Sequence, residues 1–248
     1  MDKPFSDIHV SLFSQLEGKE ESVPDTLEIK ELRSKEPTLM NLMELGKALS
    51  FSLRYREAID VYKKALEIDK DNLKCKRLLA GRYLSTLQLD SALEVFSWCL
   101  SHGGDALDIR YRRGLAYYYK GEYRSAKNEF ESVMDLSDPE MKIALIYWHS
   151  LSSLRLGEKP SMVNHEIRKC DVGHHRSYFD GVAYLSGEIS EEELVALAES
   201  EECDMEYSMK MYALYVVKRD KVILRKILRR GEYWFCFSSL AAWNEIKE

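Results

Sequence analysis

The sequence predicts an all-α chain, an α-solenoid of stacked antiparallel helix hairpins, on three observations. Glycine and proline are scarce, 12 and 5 in 248 residues, fewer than the turns of a β-sandwich or a glycine-rich nucleotide-binding fold demand. Apolar residues recur at i, i+3, i+4 and i+7, as in Leu39, Leu42, Leu45, Leu49 and again in Ala58, Tyr62, Ala65, Leu66, the period of a one-sided helix. Most telling, five columns of small or apolar residues keep one fixed step through three units without a gap. They are Gly46, Ala80, Gly114; Leu49, Tyr83, Tyr117; Ala58, Ala92, Ala126; Tyr62, Phe96, Phe130; and Ala65, Cys99, Val133. A constant period of this size marks a repeat architecture, in which one hairpin cannot bury its apolar side alone and stacks on the next.

Taken in chain order, residues 1–36 form a leader with nine acidic and five basic residues and Pro4 and Pro24. Its apolar group (Phe5, Ile8, Val10, Leu12, Phe13, Leu16) is suited to a helix docking on the first unit. The array follows over 37–172 as units 39–72, 73–106, 107–140 and 141–172. Small residues let the two helices of each hairpin approach closely, and the aromatic column fills the space between them. The turns fall at Arg54-Tyr55-Arg56, Gln88-Leu89-Asp90 and Gly121-Glu122-Tyr123. Unit four has a good first helix (Ile143, Ala144, Tyr147, Trp148, Leu151, Leu154) and a degraded second one with Pro160 at its start. Residues 173–230 read as further helical hairpins. One of their helices begins at Ser190, which makes a capping box with Glu193. The last stretch, 231–248, predicts a lone helix whose aromatic face (Trp234, Phe235, Phe237, Leu240, Trp243) caps the array.

These columns resemble the tetratricopeptide repeat. Unit one carries the pattern in Leu45-Gly46, Leu49, Ala58, Tyr62 and Ala65-Leu66. Unit three carries it in Gly114, Tyr117, Gly121, Ala126 and Phe130, but has Arg110 and Arg113 where the family has an aromatic and Leu. The resemblance implies a right-handed superhelix whose first helices line a concave peptide-binding groove. Carried over, the groove comprises Lys47, Lys74, Arg77, Tyr111, Arg112, Leu115, Tyr118, Tyr119, Lys142 and His149. Arg77 and Arg112 beside Tyr111, Tyr118 and Tyr119 suit an acidic segment with aromatic or aliphatic anchors.

No catalytic signature accompanies the repeats: G-x-S-x-G, Walker A, G-x-G-x-x-G and H-E-x-x-H are all missing from the sequence. Cys170 with His174 and His175 lacks a fourth ligand at any standard spacing for zinc. Neither cofactor nor metal is expected, and the chain reads as a non-catalytic adaptor or scaffold with a protein or peptide partner, able to join a larger complex. The five cysteines are odd in number and widely scattered, with no C-x-x-C pair. With no apolar run long enough to span a bilayer, a reducing cytoplasmic setting away from membranes is the expectation.

A net charge of −6 argues against a general nucleic-acid binder. Yet residues 188–206 hold nine acidic and no basic residues, and 210–230 hold eight basic ones against Asp220 alone. Two alternatives follow: an RNA or anionic partner on the basic 210–230 face, or self-association into a homo-oligomer through the aromatic C-terminal helix.

Overall fold

The structure, a computed structural model, describes residues 7–19, 21–162 and 172–247. It divides into two compact units between Asp105 and Ala106, and the described residues form helices but no strands. Leader residue Phe5 and the Cys170 part of the Cys170, His174, His175 group lie outside them. Among the described residues no group of three or more His, Cys, Asp or Glu side chains is placed to hold a metal.

Unit 1 opens with a short helix α1 (Leu12–Glu17), then α2 (Leu27–Ser34), α3 (Leu39–Phe51), α4 (Tyr55–Ile68), α5 (Leu73–Ser85) and α6 (Leu89–Ser101). Thr26, Thr38 and Asn72 cap α2, α3 and α5 by accepting from the amides of Ile29, Asn41 and Cys75, donors that a helix start otherwise leaves unpaired. The leader docks on the α3–α4 turn. Val10 and Leu12 are buried, the Val10 amide donates to the Ser52 carbonyl at 3.1 Å, and Arg56 donates through Nε to the Gln15 carbonyl at 2.6 Å. Arg54 then joins α2 to α4, bonding Asp25 at 2.5 Å and Glu57 at 2.5 Å. Burial pushes the Asp25 carboxyl up, but the Arg54 and Arg33 guanidiniums outweigh it and hold the group below the ordinary carboxylate range.

Unit 2 contains α7 (Ala106–Tyr119), α8 (Tyr123–Glu131), α9 (Pro139–Arg155), α10 (Arg176–Leu185), α11 (Glu191–Glu199), α12 (Asp204–Lys218), α13 (Lys221–Arg230) and α14 (Phe237–Ile246). Single 3₁₀ turns lie at Met134–Leu136 and Gly173–His175. The Ser190–Glu193 capping box forms as the sequence predicts. Two helices are buried on every side, α9 from Ile143 to Ser153 and α12 from Tyr207 to Val216. A helix enclosed in this way is a core element rather than one layer of a one-dimensional stack. α10 packs mainly on α12 and α9 and only lightly on α11, while α11 with α12, α12 with α13 and α13 with α14 keep the packing of consecutive helices. The C-terminal helix begins later than Tyr233, at Phe237, and packs on α13, α12 and α7.

The repeated columns have a direct steric meaning. A methyl group added at Gly46 would lie 2.4 Å from the Tyr62 ring, and one at Gly114 would lie 2.5 Å from the Phe130 ring. Ala58, Ala92 and Ala126 are wholly buried, as are Phe96 and Phe130. Leu53, Leu87 and Gly121 form a further column in the same register. All three take the left-handed conformation that reverses each hairpin, with φ of 58°, 56° and 76°. The two arginines that depart from the repeat pattern also find a reason. Arg110 and Arg113 both pair with Glu129 of α8, at 3.3 and 2.8 Å, so an ion cluster replaces an apolar contact between the helices of one hairpin.

Gly114→Ala is therefore expected to lower stability by about 1–3 kcal/mol, because the Phe130 ring must leave its place to admit the methyl group. A urea titration followed by circular dichroism checks this. An unchanged midpoint would show that the small-residue column is not the helix crossing.

Candidate functional site

The first helices of unit 1 carry an exposed face. Met40, Glu44, Lys47 and Phe51 occupy one stripe of α3 at i, i+4, i+7 and i+11. Met40 is 73% and Phe51 78% exposed, and at 1.5 Å per residue they stand about 16 Å apart along the helix. Lys47 bonds Glu44 at 2.6 Å between them. The His9 ring, from the docked leader, lies 5.9 Å from the Phe51 ring. On α5 the expected positions are Lys74, exposed, and Arg77, half-buried, with Leu78 beside them. Gly81 contributes no side chain, and a methyl group there would meet nothing within 4 Å.

The expected groove residues of unit 2 are placed differently. Tyr111, Leu115, Tyr118, Tyr119 and His149 are all buried. The cause is the chain itself, since α12 and α14 lie over the side of α7 and α9 that the repeat would leave open. Tyr119 donates through its hydroxyl to the Phe237 carbonyl at 2.9 Å, and Asn244 donates to the Tyr119 carbonyl at 2.7 Å. The Tyr212 hydroxyl donates to that of Tyr118 at 3.2 Å. Trp148 sits among the Tyr118, Tyr119, Tyr147 and Tyr212 rings, with centroids 5.2–6.3 Å away. Burial pushes the Tyr111 hydroxyl up to about 12 and those of Tyr119, Tyr147, Tyr178 and Tyr212 well above the ordinary range, so all remain neutral donors at pH 7.

His149 Nε2 meets Glu131 at 2.8 Å. Burial lowers the His149 pKa against the pull of Glu131, which keeps the imidazole neutral at pH 7. The two remaining expected residues are partly committed. Arg112 pairs with Asp108 at 2.9 Å and lies 6.0 Å over the Phe237 ring, and Lys142 is half-buried. The interior residues were not separable from groove residues by repeat position alone. The signal that could have distinguished them is in α14, whose small residues Ser238, Ser239, Ala241 and Ala242 are suited to close approach and are buried there.

The charged blocks are only partly matched. Lys218 pairs with Glu191 at 2.5 Å, and Arg230 with Asp204 at 3.1 Å. Lys210 is fully buried on α12 and meets Glu201, with Asp180 at 3.4 Å and Ser177 at 3.1 Å. Arg219, Lys221, Arg225, Lys226 and Arg229 stay exposed along α13 and the turn before it. Of the aromatic C-terminal face, Leu240 is buried within unit 2, Phe235, Phe237 and Trp243 are half-buried, and Trp234 is exposed. Among the described residues no helix is long and apolar enough to cross a membrane.

Residues 41–72 and 107–138 match the family model described as tetratricopeptide repeat, and these stretches are the α3–α4 and α7–α8 hairpins. No curated protein matches the chain. Among solved structures it is similar to the crystal structure of YrrB, described as a TPR protein with an unusual peptide-binding site, at 13% identity and a TM-score of 0.46, over 90% of this chain and 99% of that one. With one matched hairpin in each compact unit, and the Gly46–Tyr62 and Gly114–Phe130 columns packed as the repeat register requires, the chain carries tetratricopeptide repeats at 41–72 and 107–138.

Proposed function

We propose that this chain is a non-catalytic adaptor that binds an extended or helical segment of a partner protein on the first-helix face of unit 1, through Met40, Lys47, Phe51, Lys74 and Arg77. Its repeats make it a protein-interaction adaptor; the face and the chemistry of the ligand are the proposal. The observation that carries it is the pair of large apolar side chains, Met40 and Phe51, 73% and 78% exposed on one stripe of a repeat helix. Isolated exposed apolar residues need no explanation, but two flanking a charge pair on one helix supply the anchors of a helix-in-groove or extended-peptide site. Lys47, Lys74 and Arg77 outnumber Glu44 across the two first helices, which favours an acidic segment and salt-sensitive association.

Selection of a displayed random peptide library on the full chain is expected to enrich acidic sequences with two apolar anchors. The double variant Met40→Ser, Phe51→Ser is expected to weaken the selected peptides at least tenfold, about 1.4 kcal/mol, with helicity unchanged. Selected peptides that bind the double variant undiminished would place the ligand site elsewhere.

A further inference from the structure

α14 is tied to unit 2 by polar contacts as well as by apolar burial. Its one large apolar side chain that is wholly buried is Leu240, while Phe237 and Trp243 are half-buried. Beside this stand the Asn244 and Tyr119 bonds given above, the Ser239–Ser208 hydroxyl contact at 3.3 Å, and a concentrated site around Glu245. The Glu245 carboxylate meets the Arg155 guanidinium, accepts from Tyr215 at 3.0 Å and lies 3.4 Å from the Tyr212 hydroxyl. Arg155 is only 8% exposed in its side chain and also reaches the Tyr118 hydroxyl at 3.4 Å.

Two further features bear on how α14 is held. Glu245 lies in the last turn of α14, beside the negative end of the helix, where helix electrostatics disfavour a carboxylate. Its position therefore answers to Arg155 and not to the stability of α14 itself. The seat is also incompletely filled. A cavity of about 60 Å³ remains between α7, α12 and α14, lined by Tyr118, Tyr123, Tyr212, Ala241 and Glu245. The segment joining α13 to α14, residues 231–236, is non-helical and exposes Trp234, with Gly231 and Cys236 buried at its two ends.

We propose that the α7, α9 and α12 surface of unit 2 is a carboxylate-reading helix site, which the chain keeps closed with its own α14 as a displaceable internal ligand. The ligand it takes in trans is a short helix of the α14 pattern, with small residues on the docking side and a glutamate near its C-terminal end. The carboxylate is the specificity element. An occupant without one leaves a buried guanidinium unpaired, which is heavily disfavoured. This site is separate from the unit 1 face and does not rest on it.

Hydrogen exchange on the unmodified chain tests the premise. The α14 amides are expected to exchange at least 100-fold faster than those of 212–216 in α12, through a local opening. Glu245→Gln is expected to speed α14 exchange a further tenfold or more while leaving α12 unchanged. A fluorescein-labelled peptide of residues 233–247 is then expected to bind Ala241→Glu, whose α14 cannot seat, and to bind at least tenfold more weakly when its own glutamate at 245 is glutamine. Exchange of α14 and α12 at one common rate would overturn the proposal by making α14 a core helix, and it decides the matter even if Ala241→Glu fails to fold. A folded Ala241→Glu that ignores the peptide, or that binds both peptides equally, would overturn it too.

Discussion

Replacing Lys210 by methionine is expected to cost about 3–5 kcal/mol at pH 7, among the largest effects of any single charge in the chain. The ammonium is fully buried and lies among Glu201, Asp180 and the Ser177 hydroxyl. Methionine fills much of the same volume, so the loss comes from the carboxylates left behind. Asp180 is 8% exposed in its side chain and Glu201 26%, and Glu206 adds a third acidic group hydrogen-bonded to Glu201. Burial raises Glu206, and its neighbour Glu201 raises it further. Burial also works upward on Glu201, but Lys210 and Arg230 prevail and hold that carboxyl low. Without Lys210 the main pull holding Glu201 low is gone, and burial raises the folded pKa values of Glu201 and Glu206. The folded state then binds the extra protons, so stability is retained at low pH and lost as pH rises through the shifted values. The gap between variant and parent should accordingly narrow from pH 7 toward pH 4 in urea titrations. Lys210→Met, Asp180→Asn should recover part of the loss at pH 7. A gap independent of pH would mean that packing and not charge accounts for it.

How far the sequence announced this molecule depends on the range of each interaction. The columns were legible because they record contacts within one hairpin: Gly46 against Tyr62 and Gly114 against Phe130. Small and aromatic residues at that spacing have one steric use, and the constant step from unit to unit exposes it. The Ser190–Glu193 cap was legible for the same reason, being confined to one turn. The fate of Tyr118 and Tyr119 was not legible. It is set by contacts to Tyr212 and Phe237, far along the chain in α12 and α14, and no periodicity in those helices repeats that of the first three hairpins. A repeat position specifies which way a side chain points from its helix, and it carries no information about what else in the chain comes to cover it. The unit 1 positions stayed exposed because no described segment of that unit folds back over the face of α3 that bears Met40 and Phe51. Opposite charge blocks at 188–206 and 210–230 partly neutralise each other, through pairs such as Lys218–Glu191 and Arg230–Asp204. Sequence blocks could not say which cations turn outward, because that follows from the facing of α13, whose Ile223, Leu224 and Ile227 are buried.

Trp148→Ala is expected to destabilise unit 2 by about 3–5 kcal/mol, the range for emptying the space of a large buried aromatic. The indole is wholly buried at the centre of α9. Its neighbours are the rings of Tyr118 and Tyr119 from α7, Tyr147 beside it on α9, and Tyr212 from α12. Tilted and edge-on ring pairs contribute beyond simple area burial, and all of these are lost together. Collapse into the void is restricted by the partners' hydroxyl bonds, since Tyr147 donates to the Met209 carbonyl at 2.6 Å and Tyr119 to that of Phe237 at 2.9 Å. The rings cannot move inward without breaking those bonds, so the cost should fall toward the upper end of the range. Near-ultraviolet ellipticity, taken through a urea titration at pH 7, is the measurement. Trp148→Phe, which keeps a ring and leaves a smaller void than alanine, should lose markedly less. If both variants unfold at the parent's midpoint, the aromatic cluster does not hold α7, α9 and α12 together.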